Sequence, residues 1–419
     1  MTLERAVAEL KGAQNLSLYF IGKYRMTPVM APSFQNSSKI VIGSQYFLYF
    51  GVMGIFLPYF NLYCYHLDFS GFQIGTLSAI RSVVLIVFAL IWSTLADRFQ
   101  IRRPIYVLCS LVSTAIWAGF FFSTDFWIML LVTVFYSIFY APIISFLEAF
   151  TMDVLGEEKK SYGHLRVWGS LAFIITVIAL GKIIDLYSIE IILILIFSGS
   201  LLQAAISVKM PDIRNLKRTS FTLKAKVLFK KRVIVFLFCA FLMLVSHGTY
   251  YGFYSIHLEK MGYGNTFIGF AWALATLSEI LIMLNSDRIF KRFSMENVLI
   301  FSFLAAAIRW ITLFFATSPP ALLLLQLLHA VTYGTFHVAS ILYIDSLTPA
   351  ETKTLGQAVN NTITYGLGLM VGFFFNGYFF ERLGLFKLFL ISGGIAFSAG
   401  FVFKTFHLMD TRRTASKEV

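Results

Sequence analysis

Long apolar runs, broken by short polar or Pro/Gly stretches, set the pattern of this chain. A helix needs about 20 mainly apolar residues to cross a bilayer. Twelve such runs occur, at about 40–64, 70–96, 104–123, 126–151, 164–186, 189–208, 232–258, 264–286, 296–316, 319–346, 354–380 and 384–408. The breaks fall at Ser70-Gly71, Arg103-Pro104, Pro319-Pro320 and Leu383-Gly384, pairs that punctuate helices. The runs lack the apolar/polar alternation over roughly 10 residues that marks a barrel strand. The expected fold is all-α: twelve transmembrane helices, six on each side of one long basic segment.

Composition sharpens this reading. Of 419 residues 58% are hydrophobic and 13% charged, and 46 are Phe. Soluble proteins carry about 25% charged residues. A water-soluble enzyme of this size could not hide so much apolar surface and is excluded. The net charge of +13 is a matter of location. Of 34 Lys and Arg, 27 fall in the termini, the basic segment and the loops after even-numbered spans; 4 fall on the other side and 3 inside spans. The positive-inside bias therefore predicts that both termini and the basic segment are cytoplasmic, in the cell (inner) membrane. The expected organisation is a cytoplasmic extension (1–39), a first six-helix bundle (40–208), a central loop (209–231), a second bundle (232–408) and a cytoplasmic tail (409–419). The basic charge then meets anionic lipid and not nucleic acid. The apolar patch at Leu16–Ile21 is too short for a signal peptide, and Met26 and Met30 are alternative starts. Cys64, Cys109 and Cys239 lie inside apolar runs with neither CxxC nor metal spacing, so neither disulfide nor metal is expected.

The two halves resemble each other. Asp97-Arg98 ends span 2 and Asp287-Arg288 ends span 8, each followed by a basic pair, 190 positions apart. Gly75 and Gly269, which open spans 2 and 8, are 194 apart; Tyr162-Gly163 and Leu355-Gly356, opening spans 5 and 11, are 193 apart. Matched offsets argue for a duplicated six-helix unit, and two such bundles can rock around a central site.

The Asp97 loop resembles the major facilitator superfamily signature G-x-x-x-D-R-x-G-[RK]-[RK], with Ser93 in place of the leading Gly and the basic pair displaced by one. Tyr162-Gly-His-Leu-Arg166-Val-Trp168-Gly-Ser-Leu-Ala-Phe173 resembles the YGxxRxWGSxxF stretch of the phenylpropionate permease family and of nucleoside:proton symporters. Tyr250-Tyr-Gly-Phe, Ser278-Glu279, Ile308-Arg309-Trp310, Leu328-His329 and Phe336-His337 fit the phenylpropionate permease family best, over about residues 40–405. A more distant resemblance is to lactose permease, whose functional charges match Glu148, Arg166, Glu279, Arg309 and His329; Thr332 stands where that family has its proton-carrying glutamate. The resemblance implies a twelve-helix secondary transporter working by alternating access, a symporter of a small organic solute and a proton. The expected solute is a monocarboxylate such as an aromatic acid. Uptake of a nucleoside or sugar and proton-driven efflux are the alternatives within this class. A non-transporting sensor or a lipid translocator is the alternative outside it. Neither catalysis nor a cofactor is expected, and the chain is read as a monomer.

A charge at mid-membrane costs about 2.5–3.5 kcal/mol on insertion scales, so each one needs a partner or a wet cavity. Glu148 and Arg166 on spans 4 and 5 are either a substrate clamp or a structural ion pair. Phe173 follows Arg166 by seven residues, on the same face, and can pack against a substrate ring or a neighbouring helix. Arg81 has no evident acidic partner and is a candidate for an anionic substrate, with Asn361 as a further polar contact. Glu279 and Arg309 form a second expected pair, serving proton coupling or a permanent bridge. His329 and His337 share a face of span 10 about 12 Å apart and suit a proton relay, or are neutral and bonded to backbone; His247 is a further candidate. Asp97, Arg98, Asp287 and Arg288 are the expected gating loops, and Asp153 and Asp345 are their repeat-related neighbours.

Overall fold

The computed structural model describes residues 32–156, 158, 161–212, 229–349 and 352–415. Most of the predicted extension and central loop, and Met26 and Met30, lie outside them. Helix α1 spans Pro32–His66, α2 Gly71–Phe99, α3 Arg102–Phe121, α4 Phe126–Leu155, α5 Tyr162–Leu186 and α6 Ile191–Ser207. After the central loop come α7 Lys231–Lys260, α8 Asn265–Leu284, α9 Met295–Phe315 and α10 Pro319–Leu347. The last run folds back on itself at Gly384 (φ 75°), giving α11 (353–383) and α12 (385–415). Among the described residues twelve helices result, matching the twelve apolar runs; ten stretches, one of them the folded-back Leu355–Arg412, are long and apolar enough to cross a membrane, and the chain is a multi-pass membrane protein. The main boundary shift is α1, which begins at Pro32 and not at residue 40.

Helix shape follows local chemistry. Pro142 lacks an amide donor, and α4 is interrupted at Ala141, between Tyr140 and Pro142. Two π-helical stretches, Ala330–Thr335 in α10 and Asn361–Gly368 in α11, each add residues to a turn of the second half. Glycines let helices touch backbone to backbone. Gly248 of α7 meets Gly372 of α11, and Gly368 one turn away lies against Phe241 and Leu244, as the Gly368-x-x-x-Gly372 spacing predicts.

The halves pack α2 against α11, α5 against α8 and α1 against α7. Their contacts cluster at the end remote from the central loop, here the far end. There Tyr59 donates to the Asn265 carbonyl (3.3 Å), Asn61 donates to the Gly252 carbonyl (2.9 Å) and His66 meets Glu259 (2.9 Å). At the central-loop end the ion pairs stay inside one half: Lys39–Glu158, Arg102–Asp153 (2.8 Å) and Arg232–Asp410. The halves are therefore latched at the far end.

The Gly248 contact yields a test. A Cβ there falls 2.5 Å from the Gly372 backbone, whereas one at Gly394 meets nothing within 4 Å. Gly248→Ala is expected to destabilise the protein by about 1–3 kcal/mol and Gly394→Ala to leave it unchanged, read by thermal unfolding in detergent. Equal melting of the two variants would disprove the crossing.

Candidate functional site

The second half encloses a guanidinium that never reaches water. Arg309 on α9 is fully buried. Its Nη1 donates to His329 Nδ1 (2.9 Å) and Thr332 Oγ1 (3.1 Å), and its Nη2 donates to Gln326 Oε1 (3.0 Å). The rings of Tyr250 and Trp310 flank it at 4.5 and 4.7 Å. Only Nε lacks an acceptor among the described residues. Gln326 is itself fully used: its oxygen also accepts from Tyr250, and its amide donates to Tyr254 Oη (2.5 Å) and the Leu322 carbonyl (2.9 Å).

This network corrects one expectation. Glu279 and Arg309 are not a direct ion pair; His329 stands between them. The π-helical stretch begins immediately after His329 and brings Thr332 to the guanidinium. An arginine only donates, so His329 Nδ1 must accept, and the ring proton sits on Nε2. That nitrogen lies 3.7 Å from Glu279 Oε2 and 3.4 Å from Tyr251 Oη. His329 cannot take a second proton without losing Arg309. Glu279, with 23% of its side chain exposed, is the acidic group of this cluster that reaches open space.

His329 and His337 do share a face. Tyr333 lies between them, and the three rings stack nearly parallel, at 5.2 and 6.0 Å. His337 Nδ1 bonds Tyr365 Oη of α11 (2.6 Å), so no hydrogen-bonded path joins the two histidines through the stack. His247 is buried and donates from Nδ1 to the Met243 carbonyl (2.8 Å), the backbone-bonded arrangement. Asn361 is exposed one turn before Tyr365, while its neighbour Asn360 is buried against Ser340 (2.9 Å).

The first half is built differently. Arg166 lies over the Phe50 ring (3.8 Å) and touches Ser170 (3.5 Å), and it does not form the direct pair with Glu148 that one reading expects. Glu148 is exposed. Arg166 on α5 and Glu279 on α8 belong to helices that pack on each other across the two halves. Arg81 lies over Phe56 (4.2 Å) with Met53 Sδ at 3.9 Å, and its Nε has no acceptor among the described residues. Phe173 is buried with its backbone 3.0 Å from a Cβ placed on Gly54, so it packs α5 on α1.

The loop residues sit at the central-loop end. Arg102 joins Asp153 to Asp97 (3.5 Å), Arg98 lies over Phe99, Arg288 bonds Asn285 (2.8 Å), and Lys353 pairs with Asp345. Asp287 belongs to the short helix Ser286–Arg292. Sequence reasoning missed Gln326, Tyr250, Tyr254 and Tyr365 as site residues. Gln326 had a signal: a lone amide in an apolar run, three residues before His329.

Two six-helix halves around a polar, charge-bearing interface define a membrane transporter and not an enzyme. The chain belongs to the MFS_1 like family, whose model matches residues 40–391. It is 27% identical over 361 residues to the "Probable 3-phenylpropionic acid transporter" of Escherichia coli (strain K12), covering 84% of this chain and 93% of that one. It is 24% identical to the maltose permease of Geobacillus stearothermophilus, covering 82% and 88%. The crystal structure of the nucleoside transporter NupG shares the fold, with a TM-score of 0.78 at 17% identity, covering 88% of this chain and 98% of that one.

Gln326 gives a test of the buried network. Gln326→Leu strands Arg309 Nη2 and two tyrosine hydroxyls and is expected to cost about 3 kcal/mol. Gln326→Glu still accepts from Arg309 and is expected to cost less. Chemical unfolding of the purified variants checks this; equal losses would refute the charge network.

Proposed function

We propose that this protein is a proton-coupled symporter of a small organic monocarboxylate, an aromatic acid being the best fit, with Arg166 as the carboxylate anchor and Glu279 as the proton carrier. The observation that carries this reading is the division of the charges. Arg309 is occupied by His329, Thr332 and Gln326, while Arg166 is lightly held on α5, which packs across the interface against α8, the helix that carries Glu279. A guanidinium fork suits a carboxylate, and the Phe50 and Tyr46 rings beside Arg166 suit an aromatic body. Arg81 above Phe56 and exposed Asn361 are further contacts for the solute.

The coupling follows from electrostatics. Opposite charges attract across the interface, so Arg166 favours the Glu279 carboxylate. A solute carboxylate on Arg166 cancels that attraction, and proton binding to Glu279 becomes favourable. Solute and proton then load together, and one of each carries no net charge. His329 transmits the state of Glu279 to Arg309 and does not itself titrate; His337 and His247 are accessory. Emptied of both, the halves rock to face the other side. The central-loop face is cytoplasmic in this reading, because 27 of 34 basic residues lie on its side. The Asp97-Arg98 and Asp287-Arg288 loops act as gates there when that face closes.

A second reading has its own observation. Glu148 is exposed and Arg166 has no ion pair among the described residues, and two such groups can grip the hydroxyls of a nucleoside or sugar.

Liposomes bearing the purified protein separate the two. External 3-phenylpropionate should alkalinise the medium, and nucleosides and maltose should not; alkalinisation by those solutes alone would move the assignment to the second reading. Glu279→Gln should abolish proton-driven accumulation and leave solute exchange, and unchanged accumulation would remove Glu279 as carrier. Arg166→Lys keeps the charge but loses the fork, and should weaken solute binding roughly tenfold or more; wild-type affinity would assign Arg166 to structure.

A further inference from the structure

The far end is closed by two contacts that mirror each other. Asp185, in the last turn of α5, receives the Asn265 and Thr266 amides (each 2.8 Å) and the Thr266 hydroxyl (2.6 Å) at the start of α8. Glu381, near the end of α11, receives the Gly71 amide at the start of α2. Asp185 and Glu381 are 196 positions apart, and Gly71 and Asn265 are 194 apart, so the two contacts are repeat-related. In each, the fifth helix of one half caps the second helix of the other. Both capped helices begin with backbone amides that have no partner of their own helix.

The glycines obey the same relation. One turn inward on each side, Gly75 lies against Gly377, and Gly269 and Gly181 lie against the backbones of Val177 and Asn265. Gly75 and Gly269 are 194 apart, and Gly181 and Gly377 are 196 apart. Bare backbone lets the helices close enough for the carboxylates to reach across. The two contacts differ in one way. The α2 terminus has a capping box of its own, Ser70 with Gln73, whereas the α8 cap position is Gly264, which has no side chain to offer. Asp185 supplies that cap from the other half.

We propose that Asp185 and Glu381 are positioning residues for transport: a repeat-related pair of latches that hold the far end shut and must be released for the halves to open there. Neither touches the central site. The inference does not depend on the solute or on proton coupling. Opening the far end uncaps both helices, so each latch weights the equilibrium towards the closed far end. Losing one should shift the closed-to-open ratio by about 2- to 30-fold, the usual range for a helix cap.

Distance measurements between spin labels test this without any solute. Phe122→Cys and Phe315→Cys place labels at the far end of opposite halves, at positions 86% and 70% exposed, while the native cysteines are buried. Asp185→Ala with Glu381→Ala should enlarge the long-distance population, and Glu190→Ala, a charge loss at the same end, should not. Glu381→Ala alone leaves the α2 capping box intact and should still shift the distances. Gly264→Ser added to Asp185→Ala gives α8 a cap of its own. Melting temperature should then recover while the distances stay long. Unchanged distances in the double variant would overturn the latch. So would recovery of both properties by Gly264→Ser, because Asp185 would then be a local helix cap only.

Discussion

A buried guanidinium organises the second half of this transporter. Arg309 cannot lose its charge and cannot reach water, so the protein must supply acceptors around it. His329, Thr332 and Gln326 do so, and they fix much else in turn. Gln326 spends two of its remaining bonds on α7, through Tyr250 and Tyr254. His329 is forced into one tautomer and directs its ring proton towards Glu279. The π-helical turn that follows His329 places Thr332 on the same guanidinium. Four helices are thus tied together by one charge.

The first half makes the opposite choice. Arg166, Arg81 and Glu148 are cushioned by aromatic rings or left open, with few directional bonds. A duplicated scaffold has become one rigid, networked half and one half whose charges remain available. The repeat symmetry survives most clearly at the far end, where Asp185 and Glu381 each reach into the other half.

The twelve spans, their division and the duplication were legible because each rests on local chemistry. Apolar length, Pro/Gly punctuation and the placement of Lys and Arg act residue by residue. The membrane makes them unusually decisive, since it forbids an exposed polar backbone. The residues of the site were legible as intramembrane charges at Arg81, Glu148, Arg166, Glu279 and Arg309. Their partners were not. Pairing Glu279 with Arg309 matched opposite charges on neighbouring helices, yet the side chain between them is His329, and the amide that completes the cluster is Gln326.

By itself the sequence determined how many helices cross the membrane, that they form two related halves and which rare polar residues must be accommodated. Only the tertiary structure decided which of those residues neutralise one another and which face the space between the halves. Hydropathy is a property of each position, whereas an ion pair depends on helix rotation and on a π-helical turn that shifts register. Charges that looked equivalent along the chain, Arg166 and Arg309, therefore came to lie half-buried over an aromatic ring and fully buried in a hydrogen-bonded network.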